Sequence, residues 1–110
     1  MLPSTERRQV RRHACRRPLS CQLIDPLDES VAPAGVRNIS SNGVCVVIEP
    51  HLPPGRHIEV AIRRPAGGAT LHRIAEVVHA LQVPSFREMW LTGCLFYGEA
   101  LSDEQLRLYR

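Results

Sequence analysis

The chain has 110 residues, 44% of them apolar, enough for one domain with its own core and too apolar for general disorder. All 14 basic residues are arginine, and six of these (Arg7, Arg8, Arg11, Arg12, Arg16, Arg17) set against Glu6 give residues 1–17 a net +5, while the other eight face ten acids, a net −2. A positive field confined to one arm argues for a local anionic partner and against a uniformly basic nucleic-acid-binding surface.

No apolar run approaches the length of a membrane span. Residues 1–8 lack the apolar stretch of a secretory signal, so the expected location is the cytoplasm. Residues 1–17 show no apolar stripe and read as a flexible basic arm, with residues 18–110 as one β domain behind it. The first strand is expected over Leu19–Ile24. Asp25–Ser30 reads as a solvated acidic loop from its turn residues. A second strand is expected over Ala34–Ile39, followed by the polar turn Ser40–Gly43, in which Asn42-Gly43 is a hairpin signal. The β-branched run Val44–Ile48 is short enough for a strand.

His51–Gly55 breaks the chain. His57–Ile62 then alternates, with Ile58, Val60 and Ile62 on one face. Arg63–Gly68 is a connection. Leu71–Val83 reads as a long strand with Val77, Leu81 and Val83 sharing a face. Met89–Phe96 is a further strand, in which Trp90, Cys94 and Phe96 are core candidates and Gly93 marks a bulge or a close backbone contact. Ser102-Asp103-Glu104-Gln105 matches a capping box, so a short helix follows, with Leu101, Leu106 and Tyr109 packing back on the strands. Strands at a spacing of about ten residues with turn chemistry between them predict a small antiparallel barrel or sandwich.

Little in the chain suggests catalysis. There is no G-x-S-x-G, no phosphate-binding glycine loop and no carboxylate pair. His13, His51, His57, His72 and His79 show no metal-ligand spacing, and neither do Cys15, Cys21, Cys45 and Cys94. Cys45 and Cys94 read as small buried hydrophobes. Cys15, beside Arg16, is the remaining candidate for a reactive thiol. The expectation is a binding protein with no metal site and no cofactor.

Two motifs carry chemistry. The arm Arg7-Arg8-Gln9-Val10-Arg11-Arg12 contains R-x-x-x-R at Arg8 and Arg12. Guanidiniums pair bidentately with phosphate, stack on flat rings and address the O6/N7 edge of guanine. The turn Asn38-Ile39-Ser40-Ser41-Asn42-Gly43 reads N-x-S-x-x-G. Its amide can donate to and accept from a base edge, its hydroxyl adds a polar contact, and Gly43 permits positive φ or close backbone approach. Taken separately these are a charge run and a hairpin.

Together, in this order, they resemble the signature of the PilZ family, R-x-x-x-R followed by (D/N)-x-S-x-x-G. Residues 12–21 resemble the family's lead into its first strand. Residues 90–96, with G-x-x-F at Gly93–Phe96, and the following Leu101–Gln105 resemble its last strand and terminal helix. The resemblance covers roughly residues 6–108. It implies an all-β fold: a small six-stranded antiparallel split barrel with a short C-terminal helix. It implies a receptor for the bacterial second messenger cyclic di-GMP, signalling in trans through a protein partner. By the same resemblance Arg8 and Arg12 would hold phosphates and guanine, Asn38 and Ser40 would contact a guanine edge, and Gly43 would shape the turn. Arg7 is an additional contact candidate if two stacked nucleotides bind. Two other readings compete: a PilZ-fold adaptor that binds protein but no nucleotide, and a small basic barrel for RNA or DNA. The arginine motif argues against the first. The low aromatic content, 5%, and the lack of a stacking platform argue against the second.

Overall fold

A computed structural model describes residues 12–14, 19–64, 67–84 and 86–109, with residues 12–14, 86 and 87 described by backbone alone. The strands are β1 (Arg12–Ala14), β2 (Ser20–Ile24), β3 (Val31–Ser40), β4 (Gly43–Ile48), β5 (His57–Ile62), β6 (Leu71–Val83) and β7 (Phe86–Phe96), followed by helix α1 (Asp103–Tyr109). Strands β2, β3, β4, β7, β6 and β5 pair in that circuit, and β5 returns to β2, so all six antiparallel strands close into a barrel. Closure removes free sheet edges.

The period-2 pattern decides what goes inside. Ile58, Val60 and Ile62 of β5 face inward, as expected, alongside Ile39, Val46, Ile48 and Val77. Fully burying each such side chain contributes about 1.5–3 kcal/mol. Cys21, Cys45 and Cys94 are buried. Trp90 is half-buried against the core, its ring 4.3 Å from that of His51.

β3 begins at Val31, earlier than Ala34, because its first half pairs with β2 from Ile24↔Val31 to Ser20↔Gly35. Pro33 is tolerated there because β4 pairs only from Gly35 onward, leaving that side of β3 without a ladder partner among the described residues. The loop before it is not wholly solvated: Asp25 is buried, its Oδ1 accepts from Leu27 N (2.9 Å), and its carboxylate pairs with Arg56. Burial of a carboxylate requires such a partner.

One expected face is corrected. Leu81 does not share the core face with Val77; it is 60% exposed. On β6 both Val77 and His79 are paired, but with adjacent residues of β7, Cys94 and Gly93. Val78 is therefore an extra residue in the strand, and a bulge of one residue inverts every face after it.

The helix follows its sequence signal. Ser102 Oγ accepts from Gln105 N (3.1 Å) and Gln105 Oε1 accepts from Ser102 N (2.9 Å), both halves of the capping box. Leu101, Leu106 and Tyr109 are buried against the barrel.

Candidate functional site

β3 is ten residues long. β2 covers only its first half. Beyond the end of β2, the three residues of β1 take over the same edge, with Arg12 opposite Ser40, His13 opposite Ile39 and Ala14 opposite Asn38. The backbone ladder therefore joins the last arginine of the first motif to the strand that carries Asn38 and Ser40. Arg7 and Arg8 lie outside the described residues, as does Cys15, and Arg12 is described by backbone alone.

Asn38 owes its orientation to a second bulge. Val36 pairs with Val46, but Asn38 pairs with the next residue, Cys45, so Arg37 is the extra residue. In a regular strand Asn38 would share the inward face of Val36. The bulge instead turns Ile39 inward, where it is 0% exposed, and leaves the half-buried Asn38 on the outer face. The extra residue, Arg37, is exposed beside it. Bulges serve this purpose at functional sites: they re-aim a side chain without breaking the sheet.

Asn38 starts a row across the outer face. Its partner is Cys45, whose partner on β7 is Gly93, whose partner on β6 is His79. The bulge at Val78 lies at the far end of this row, as the bulge at Arg37 lies at the near end. A Cβ on Gly93 would come within 2.1 Å of His79 Cε1, so the imidazole lies directly against the glycine backbone. The row is thus a polar amide, a floor of two small residues and a flat ring. The Gly93 signal was legible in the sequence; its counterpart His79 was not, because the cross-strand register depends on the Val78 bulge.

The turn itself realises one of the two roles expected for Gly43, close backbone approach. The connection between β3 and β4 is Ser41-Asn42, and Gly43 is the first residue of β4. Gly43 does not have positive φ. Its requirement is space: a Cβ there would sit 2.3 Å from the Cys94 carbonyl oxygen and 3.4 Å from Leu95 Cα, both backbone atoms. Ser40 is 6% exposed. Its Oγ accepts from Asn42 N (3.3 Å) and Gly43 N (3.2 Å) and donates to the Gly43 carbonyl (3.3 Å). The hydroxyl's only proton is committed within the turn. Ser40 therefore holds the turn in shape.

Burial pushes the Cys21 and Cys94 thiols up to about 12, with the neighbouring Cys21 and Cys45 adding to the effect on Cys94. These thiols stay protonated and carry no nucleophile. No cluster of metal-ligating side chains occurs among the described residues. A groove of about 440 Å³, lined in part by Gln22, Pro33, Ala61, Arg63 and His72, lies along the other half of β3 and contains none of the motif residues.

The PilZ domain family model matches residues 6–108. The chain belongs to the PilZ domain family. PilZ domains are binding domains rather than enzymes. The Bacillus subtilis inhibitor of motility, MotI (DgrA), superposes with a TM-score of 0.67 at 22% identity over 91% of this chain. The chain spans 46% of the length of that protein. The PilZ domain of YcgR from Escherichia coli, solved with c-di-GMP, superposes with a TM-score of 0.62 at 17% identity, covering 92% of this chain and 84% of that one. At these identities the two structures speak to the fold. No match is found among the curated proteins. No helix among the described residues is long and apolar enough to cross a membrane.

Proposed function

We propose that this PilZ domain is a cytoplasmic receptor for cyclic di-GMP that signals in trans through a protein partner. The observation that carries the reading is the pairing of β1 on β3, with Arg12 opposite Ser40 and Ala14 opposite Asn38. It joins a guanidinium-rich arm to an outer face that offers an amide and a flat ring. A cyclic dinucleotide needs both: cations for its phosphates and flat polar surfaces for its guanines. In this reading Arg8 and Arg12 bind phosphate and guanine, with Arg7 assisting if two nucleotides stack. Asn38 meets a guanine edge, the Gly93–His79 surface supports a base, and Ser40 and Gly43 shape the turn. The presence of c-di-GMP in the YcgR PilZ domain supports the choice of ligand.

Calorimetric titration with cyclic di-GMP tests this, with GTP and cyclic GMP as controls. Wild-type protein binds the cyclic dinucleotide in the micromolar range or tighter, and Arg8→Ala and Arg12→Ala abolish the heat. His79→Ala weakens binding about tenfold, the loss of one stacking contact of about 1–3 kcal/mol. Wild-type protein that gives no binding at high micromolar ligand overturns the reading.

A further inference from the structure

The N-x-S-x-x-G turn is tied to the C-terminal end of the chain. Its two central carbonyls, Ser41 O and Asn42 O, accept hydrogen bonds from Leu101 N (2.8 Å) and Phe96 N (2.7 Å). Gly43 lies in backbone contact with Cys94 and Leu95. From the other side Ser40 Oγ holds the amides of Asn42 and Gly43. The turn is thus a joint. One side carries the candidate ligand face and the other carries the end of β7 and the residue that launches α1.

α1 is poorly equipped to stand alone. It has seven residues, well short of the length at which an isolated helix persists in water. It depends on its capping box, on burial of Leu101, Leu106 and Tyr109, and on a long hydrogen bond from Tyr109 to Ala69 O (3.4 Å). A seven-residue helix docked by side-chain packing outside the barrel ladder belongs toward the low-stability end of a fold. One of the contacts that dock it, Leu101 N to Ser41 O, ends on the turn.

We propose that α1 reads the state of the site: occupation of the Asn38–Gly43 turn tightens the docking of Leu101–Tyr109, and release loosens it. The proposal rests on the cyclic di-GMP reading above. A ligand shifts α1 only if its affinity differs between the two states of the turn. That difference is built in here, because the hydrogen bonds that dock Leu101 and Phe96 also fix the end of the strand that presents Asn38. Linkage makes the effect reciprocal: the factor by which ligand tightens the docking of α1 is the factor by which docked α1 raises ligand affinity.

Amide hydrogen exchange on the full chain tests the coupling in two arms. Without ligand, Ser40→Ala removes the acceptor that holds the turn and speeds exchange at Phe96, at Leu101 and through α1 by about fivefold, the equivalent of one hydrogen bond. Amides of β5 serve as the unchanged internal control. With saturating cyclic di-GMP, the same amides of the wild type slow. Ser102→Ala, which removes the helix cap at an exposed position, raises the Kd, by at most the factor through which it speeds α1 exchange. Folded Ser40→Ala protein with unaltered exchange at Leu101 and α1 overturns the coupling whatever the ligand does. Ligand binding that leaves Leu101 and α1 unchanged overturns the readout and leaves the receptor reading intact. Absence of binding overturns that reading, while the Ser40→Ala arm still decides whether turn and helix are coupled.

Discussion

Three glycines of this barrel lie in strands, and the structure assigns each a different cost on substitution by alanine. Gly43 is the severe case. A Cβ at this position meets the Cys94 carbonyl oxygen at 2.3 Å, and neither partner is a side chain that can rotate away. β4 must move off β7, which strains the packing and pulls Asn42 O away from Phe96 N. Overpacking of this kind and loss of one such hydrogen bond together cost about 2–4 kcal/mol, enough to lower Tm by roughly 10 °C or more in a domain of this size. Gly93→Ala meets the side-chain ring of His79 at 2.1 Å. The ring can swing out, so stability falls less, while the flat surface beside Asn38 is lost and ligand affinity falls with it. Gly35→Ala has nothing within 4 Å and ordinary φ, so it is neutral or gains about 0.5 kcal/mol through the unfolded chain. Urea unfolding with unchanged m-values measures all three. Gly43→Ala with the stability of the wild type would refute the steric account of the motif's glycine.

Two further outcomes follow from buried groups. Thr92 is 0% exposed and its Oγ1 has no hydrogen-bond partner among the described residues, so Thr92→Val removes an unsatisfied polar atom and raises stability by about 1 kcal/mol in denaturant titration; a destabilised variant would reveal a partner for that hydroxyl. Cys21 and Cys94 have thiols raised from 9.0 to about 12. A pKa raised on folding stabilises fully below the unfolded value, so stability declines from pH 9 toward pH 12, by up to about 1.4 kcal/mol per pH unit for each thiol. Unfolding measured at pH 8 and pH 10 shows this slope, and it flattens in Cys21→Ala and Cys94→Ala.

Much of this molecule was local and therefore legible. The alternation of Ile58, Val60 and Ile62, the β-branched run after Gly43 and the capping box at Ser102 each depend on residues near one another in the chain. So does the turn chemistry that separates the strands, and the motif pair was readable because its order and spacing are one-dimensional facts. What the sequence left open was register. A period of two says which residues share a face only until one is inserted, and Arg37 and Val78 are such insertions. The first turns Asn38 outward and the second sends Leu81 to solvent and lays His79 on Gly93. Neither bulge residue differs from its neighbours in any way that local propensity reports. Which of the two expected reasons for Gly43 applied was hidden in the same way, since the atom that excludes a side chain there belongs to Cys94, far along the chain. Ser40 is different: the amides its hydroxyl holds are two and three residues away, a local serine turn of the kind sequence chemistry favours. The sequence by itself located the six barrel strands, the helix cap and the two halves of the candidate site, but not β1, which falls within the arm read as flexible. Only the closed barrel decided how those halves meet, because cross-strand pairing is a competition among whole strands and no short segment can settle it.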